Sequence, residues 1–413
     1  MGHRSTPADF AVLYAAEALL QPRTGVGRAA LEVARAVAAR EDAPELIPTA
    51  FGRALPQRLI EAPHDTAPTA ATSGVRAALG RLGPARWGAG HLMRYRLRGL
   101  ARQAGTPDRK VLLHEPNLIP RPFDDGPTVA VVNDMSWRHD PDSHPAERVR
   151  WLERTLPRAL RQVTRFVAIS RFTATEAVRE LGIAPDRISV APLAVSPAFR
   201  PLAASEVASV LSRHDLNDRG YVLAVGSLEP RKNLDRLAAA HAGLPQAVRR
   251  WFPLVLAGGS GWGAVDTAPH LAAALASGEA RLLGHVPDAD LPALYARAAA
   301  VAYVSLYEGF GLPVLEAMAC GTPLLHAATT AVAETAGGAG FAVDPLDVTA
   351  MREALLQLLE DVGVQQRLRI AGMARASGFT WEATAQEILG VWREVLGVRG
   401  GLKIWPMTGC KIP

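Results

Sequence analysis

The sequence predicts an α/β protein built as two doubly wound, Rossmann-like domains with a cleft between them. Three observations lead there. Apolar runs of strand length recur along the chain, separated by helical stretches, which is the pattern of parallel sheets covered on both faces. The series breaks once, in a loose stretch marked by Pro192, Pro197 and Pro201, and restarts at Tyr221. The 413 residues also suffice for two or three domains, at about 150 residues per domain.

In chain order, the first series of strands is expected at 10–14, 111–114, 128–133, 165–169 and 188–191, and the second at 221–226, 253–258, 281–283, 301–305 and 323–325. The expected boundaries are a first domain over 1–196, a linker over 197–219, a second domain over 220–379, a helix over 380–397 and a tail over 398–413. The low-complexity stretch 66–75 reads as a mobile loop.

Bulk properties narrow the class. Hydrophobic residues make up 49% and charged residues 21% of the chain, ordinary values for a globular protein. Of the two cysteines, Cys410 lies in the tail and Cys320 in an apolar helix, so a reducing compartment is expected rather than a disulfide. No secretory leader and no apolar run of spanning length is seen, and a cytoplasmic location is expected. The net charge of +5 is uneven: no acid occurs between Asp65 and Asp108, while seven arginines lie within 76–102, interleaved with Trp87, Tyr95 and leucines. Such a segment suits an anionic membrane surface or a pyrophosphate-bearing lipid, and equally a solvated helix face. No recognition motif for nucleic acid accompanies the charge.

The chemistry concentrates in one run, Glu308-Gly309-Phe310-Gly311-Leu312-Pro313-Val314-Leu315-Glu316. An apolar strand precedes it, and Pro313 fits the first turn of a helix. Strand, glycine turn and helix start together aim free backbone N–H groups and a positive dipole end at one spot, which suits phosphate. One carboxylate on the turn and one on the helix can reach hydroxyls on either side of it. The run, with the Gly321-Thr322-Pro323 that follows, resembles the Glu-x7-Glu motif of retaining glycosyltransferases of family 4 (group 1), which have the two-domain GT-B fold and include mannosyl- and rhamnosyltransferases.

Other stretches resemble the same family. Gly25 and Gly27 lie in a loop after the first strand, and Gly226-Ser227-Leu228-Glu229-Pro230-Arg231-Lys232-Asn233 opens the second domain. The resemblance implies that Arg231 and Lys232 hold the donor pyrophosphate and stabilise its growing charge, with Gly25, Gly27, Gly226, Ser227, Gly259 and the backbone of Gly309, Phe310, Gly311 and Leu312 also on the donor. It implies Glu308 on the sugar hydroxyls, Glu316 on the ribose and the main chain at Val286 on the base. Where many relatives carry a titratable histidine this chain has Asn133, which can hydrogen-bond but not titrate. Asn133 and Asp134 stay in the catalytic set, and His114 and Asn117 on the acceptor side, with a structural role as the alternative for His114. The stretch 144–152 and the helix start at Ser170, an expected N-cap, resemble the mannosyl/rhamnosyl subgroup. Two Asp-x-Asp pairs, Asp140/Asp142 and Asp288/Asp290, are not taken as metal ligands, and Asp288 is read as an N-cap.

The resemblance covers about residues 8–397. It implies a metal-independent retaining enzyme that moves a hexose from a nucleotide diphosphate, GDP-mannose or a deoxyhexose donor favoured, to a lipid-linked or polysaccharide acceptor. It also implies that the helix at 380–397 crosses back onto the first domain. A nucleotide-sugar epimerase or hydrolase on the same fold, or a weakly active nucleotide-sugar-binding subunit of a polysaccharide assembly complex, are the alternatives.

Overall fold

The structure, a computed structural model, describes residues 9–20, 25–61, 83–259 and 268–398. The expected loop at 66–75 and all but Val398 of the expected tail lie outside them.

The first sheet has seven strands: β1 (Phe10–Ala15), β2 (Glu45–Ala50), β3 (Arg53–Ala54), β4 (Lys110–Glu115), β5 (Thr128–Val132), β6 (Arg165–Ala168) and β7 (Ile188–Val190). Their order is β3-β2-β1-β4-β5-β6-β7, parallel except for the short β2–β3 hairpin. The second sheet has six parallel strands: β8 (Val222–Val225), β9 (Leu254–Ala257), β10 (Ala280–Gly284), β11 (Ala300–Tyr303), β12 (Leu324–Ala327) and β13 (Phe341–Val343), in the order β10-β9-β8-β11-β12-β13. In each sheet the winding reverses once, between β1 and β4 and between β8 and β11. A crevice forms at such a reversal, outside the carboxyl ends of the strands, and ligands settle there.

Three strands escaped the sequence reading for physical reasons. β2 carries Pro48, which demotes a run to an edge, yet it pairs with β1 through Tyr14↔Pro48. β3 and β13 span only two and three residues, too few to show a period.

Helices cover both faces of the first sheet. On one side lie α1 (Gly25–Ala38) and, from the far end of the chain, the helix Trp381–Leu396. On the other lie α2 (Gly83–Ala104), α3 (Ala146–Gln162) and α4 (Arg171–Leu181). Register settles the sides. Ala11, Leu13, Val111 and Leu113 pack with Leu97 and Ala101 of α2. Leu113 pairs with Thr128, so Ala130 and Val132 face the same way, and they pack with Leu152 and Leu156 of α3. The stretch 197–219, expected as a bare linker, holds α5 (Ala204–Arg213), whose Val207 and Leu211 are buried against the short α6 (Leu291–Ala296). The glycine turn after β11 leads into α7 (Leu312–Ala319), then α8 (Thr330–Ala336), and the crossing helix Trp381–Leu396 is α9. Thr380 caps α9 by accepting from the Ala383 N–H at 3.2 Å. Trp392 of α9 is fully buried, and its neighbours Ile388 and Leu389 lie in one core with α1. Among the described residues no helix is long and apolar enough to cross a membrane.

Candidate functional site

Two loops leave the carboxyl ends of the adjacent strands β8 and β11 and meet over the reversal point. The loop after β8 turns through Gly226 and Ser227 into a short 3-10 turn, Pro230–Lys232, ahead of the helix Leu234–Ala242. Gly258 at the end of β9 lets this loop sit low, because a Cβ there would lie 1.9 Å from the Gly226 carbonyl oxygen. The loop after β11 carries Tyr307 and Glu308. Lys232 Nζ donates to Glu308 Oε1 at 2.6 Å and to Tyr303 Oη at 2.8 Å. Arg231 Nη1 donates to the same Glu308 oxygen at 2.9 Å, and its Nε to Glu229 at 2.7 Å. Glu229 in turn accepts from Ser227 Oγ at 2.6 Å. Two cations and two carboxylates therefore form one network at the mouth of the crevice.

Charge within that network is strongly shaped by burial. Burial alone would raise the Glu308 carboxyl, but Lys232 and Arg231 outweigh it and hold it at about 2. Burial pulls the Lys232 ammonium below its ordinary range against the opposing pull of Glu308. Glu316, on α7, is buried too, but it has no ion pair among the described residues, and burial raises its carboxyl above the usual range. The two acids of the Glu-x7-Glu run thus sit in opposite electrostatic states: one held ionised, the other biased towards its neutral form.

The first domain closes against this site. Gly309 lies so near the Asn133 backbone that a Cβ would stand 1.8 Å from the Asn133 carbonyl oxygen. Ser170 Oγ and Thr173 Oγ1 of the first domain both donate to the Gly309 carbonyl, at 2.7 and 2.9 Å. Glu334 of α8 accepts the first-turn N–H groups of α4 from Arg171 and Phe172, at 3.0 and 2.8 Å. Tyr307 stacks on His139, with ring centroids 4.6 Å apart, and meets Phe172 edge to face. Arg28, in the first turns of α1, pairs with Asp288 at 2.6 Å.

The structure thus brings Gly226, Ser227, Arg231, Lys232 and Glu308 together, with Gly309, Asn133 and Asp134 beside them across the cleft. Phe310 is buried, and Gly311 and Leu312 start α7. Val286 is buried after β10, Gly259 follows β9 in open space, and Gly25 and Gly27 belong to the first turn of α1 rather than to a loop. The Asn133 side chain donates to the Pro116 carbonyl at 2.9 Å, and Asp134 accepts from the backbone and hydroxyl of Ser136. Ser170 caps α4 as expected, through the Thr173 N–H at 3.0 Å.

Two expectations need correction. His114 does not reach the acceptor side: it is 1% exposed, stacked on Tyr14, and its Nδ1 accepts from Trp392 Nε1 at 3.2 Å. Burial pulls its imidazole down to about 3, so it stays neutral and holds α9 in place. Asn117, by contrast, is exposed on the loop after β4. Asp288 is not an N-cap, since α6 starts three residues later, behind Asp290, and Asp288 serves the bridge to Arg28. Asp290 pairs with Arg213 and His214.

Sequence reasoning missed Glu229, Tyr303, Tyr307 and Glu334. Glu229 lay inside the Gly226–Asn233 run without a role, Tyr303 inside a strand-length apolar run, and Tyr307 in the turn beyond it. Glu334 carried no signal, because its partners lie more than 160 residues away in the chain.

Comparison with known proteins agrees with this architecture. A model of glycosyl transferases group 1 matches residues 212–375, and one of glycosyltransferase family 4 matches residues 23–199. O-antigen chain mannosyltransferase B of Escherichia coli is 33% identical over 385 residues, 92% of this chain and 99% of its own. A D-inositol 3-phosphate glycosyltransferase of Salinispora tropica is 36% identical over 251 residues, 57% of this chain and 52% of its own. Among solved structures, Anabaena HepE in complex with UDP-glucose superposes with a TM-score of 0.69 at 17% identity, covering 93% of this chain and 99% of that one. WaaG, a glycosyltransferase involved in lipopolysaccharide biosynthesis, gives 0.64 at 16% identity over 95% and 99%.

Proposed function

The chain belongs to the group 1, family 4 glycosyltransferases and has their GT-B fold, and from that premise we propose that it is a retaining, metal-independent enzyme transferring mannose, or a related deoxyhexose, from a nucleotide diphosphate sugar to a hydroxyl of a lipid-linked or polysaccharide acceptor. The observation that carries the reading is the shared grip of Arg231 and Lys232 on one oxygen of Glu308. Without donor, Glu308 and Glu229 together balance the two cations. A diphosphate entering the crevice offers them stronger, bidentate partners, and Glu308 is then released to hydrogen-bond sugar hydroxyls. As the glycosidic bond breaks, the same two cations stabilise the charge developing on the leaving phosphate, and in this reading no metal is required. Asn133 cannot take a proton, so the departing phosphate oxygen is the natural base for the acceptor hydroxyl. Glu316, biased towards the neutral acid, can both donate to and accept from ribose hydroxyls. Mannose is favoured by the likeness to the Escherichia coli O-antigen mannosyltransferase along nearly the whole chain.

The test is a thermal-shift panel of nucleotide sugars on wild type and Lys232→Ala, followed by transfer to membrane glycolipid in chelator. At a hundredfold excess over its dissociation constant a donor adds about 2.7 kcal/mol of stability. GDP-mannose is expected to shift wild type, to shift Lys232→Ala far less, and to yield an α-linked product. A β-linked product overturns the retaining assignment. A chelator-sensitive rate overturns metal independence, and no shift by any donor removes the site as described.

A further inference from the structure

Three side chains at the carboxyl end of β5 form a run of hydrogen bonds that the proposed transfer chemistry leaves unused. Asp134 follows β5, Ser136 opens the short helix Ser136–His139, and His144 follows the 3-10 turn Pro141–Ser143. Ser136 is 3% exposed. Its backbone N–H and its hydroxyl both donate to Asp134 Oδ1, at 3.1 and 2.9 Å. His144 Nε2 lies 3.1 Å from the same Ser136 Oγ. A hydroxyl has one proton to donate, and Asp134 accepts it. The contact with the ring is therefore a donation from Nε2–H to an oxygen lone pair, which assigns the tautomer: Nε2 carries the proton and Nδ1 is bare. Nδ1 is buried and has no hydrogen-bond partner among the described residues. Protonating it would bury an N–H group without an acceptor. Burial, with the charges of Arg148 and Arg231, also outweighs Asp134 and Glu229 and holds the imidazole below its ordinary range. The ring is thus a neutral hydrogen-bond donor.

We propose that His144 is a positioning residue for transfer: acting through Ser136, it fixes the Asp134 carboxylate so that Oδ2 is presented to a hydroxyl of the acceptor sugar. The inference rests on the transfer reaction proposed above. Asp134 stands at the cleft, because a Cβ on Gly309, the residue after Glu308, would lie 3.0 Å from the Asp134 Cβ. Oδ1 is taken by two donors, and Oδ2 has no hydrogen bond among the described residues. The terminal torsion of an aspartate is broad, so the direction of Oδ2 is set only by what holds Oδ1. The Ser136 hydroxyl could also rotate. With Nε2–H on its lone pair, its proton is directed at Asp134, and each bond polarises the next. Oδ2 then accepts from an acceptor hydroxyl beside the attacking one and keeps the acceptor in line, which is the contribution of a substrate-positioning group. The proton of the attacking hydroxyl still passes to the departing phosphate oxygen, and His144 neither takes nor supplies one.

Transfer to membrane glycolipid by the full chain tests it, with kcat and KM measured for donor and acceptor. The variants are His144→Leu, His144→Gln, Ser136→Ala and Ser136→Ala/His144→Leu. Leucine keeps bulk and has no donor, whereas the glutamine NH2 can donate but not titrate. His144→Leu should lower kcat/KM for the acceptor by about tenfold or more, while the donor KM and the donor thermal shift stay as in wild type. His144→Gln should restore most of the loss. Because both side chains act through one run of bonds, the double variant should be no slower than Ser136→Ala alone. Wild-type acceptor kcat/KM in His144→Leu, a glutamine variant as slow as the leucine variant, additive losses, or a weakened donor shift each overturn the proposal. Proton–nitrogen correlation spectra of the histidine rings, assigned with His144→Gln, read the tautomer without any turnover. Nε2–H is expected at neutral pH, and Nδ1–H overturns the proposal. Absence of transfer by wild type would count against the proposed function, and the ring spectra would then decide the hydrogen-bond run by themselves.

Discussion

Glu308 and Glu316 lie one helix start apart and should respond to neutralisation in opposite directions. Glu308 is held at about 2 in the folded state, below the roughly 4.3 of an unfolded glutamate. Its contribution to stability is therefore present above the unfolded value and is lost as pH falls from there towards 2. Glu316 is shifted upwards by burial, so it favours the folded state at low pH and loses that advantage as pH rises through its folded value. Glu308→Gln leaves two buried cations without their shared anion and should cost about 3–5 kcal/mol. Glu316→Gln keeps the shape of a neutral acid and should leave stability at pH 7 unchanged or higher. Chemical denaturation at pH 7 separates them, and a Glu308→Gln protein as stable as wild type would refute the account of the network. Both acids and both cations were legible because they sit at fixed offsets from glycines and a proline. Glu229 and Tyr303 were not, because their roles exist only once the β8 and β11 loops touch.

At the scale of elements, what matters is how the turn after β11 meets the start of α4. The Gly309 carbonyl takes two hydroxyl donors from the first domain, and the Glu334 carboxylate takes two backbone donors from the first turn of α4. The first set holds the residue that follows Glu308 in the chain, so domain closure and placement of the Glu308 carboxylate are coupled. Gly309→Ala should leave each domain folded, with a normal far-UV spectrum, but hold the cleft open by the width of a methyl group. A displacement near 1 Å can cost about a hundredfold in turnover, and a larger radius of gyration in small-angle scattering should accompany it. Unchanged turnover would mean that this closed contact is dispensable. Glu334→Ala removes a cap supplied from the other domain. We expect a loss below about 2 kcal/mol together with a raised donor KM.

Over the whole molecule, α9 makes the chain return to its beginning. Trp392 is fully buried, and its indole N–H is held by His114, so the last helix is fastened to the first sheet by packing and one buried hydrogen bond. Trp392→Ala should cost about 3–5 kcal/mol, and calorimetry should show the first domain melting ahead of the second. A single transition at the wild-type temperature would contradict the brace. Trp392→Phe retains most of the packing but leaves His114 Nδ1 unpaired, and should fall between the two.

Sequence alone determined the α/β class, the break into two sheets, and the glycine-containing loops after β8 and β11. Those features are local: apolar periodicity, a glycine that a close backbone approach demands, a proline in a first turn, two adjacent cations. Tertiary structure decided the rest. Pro48 sits in a paired strand because its neighbour accepts the register, and His114 is a buried anchor because α9 crosses over it. Glu308 is ionised because it pairs with two cations in the crevice, and Glu316 is raised because its burial outweighs the pull of Tyr295 and Arg28. Arg94 and Arg98 of α2 are paired because Asp124 and Asp125 from a distant loop reach them. Each depends on which residues from remote parts of the chain are brought within hydrogen-bond distance, and no spacing along the chain records that.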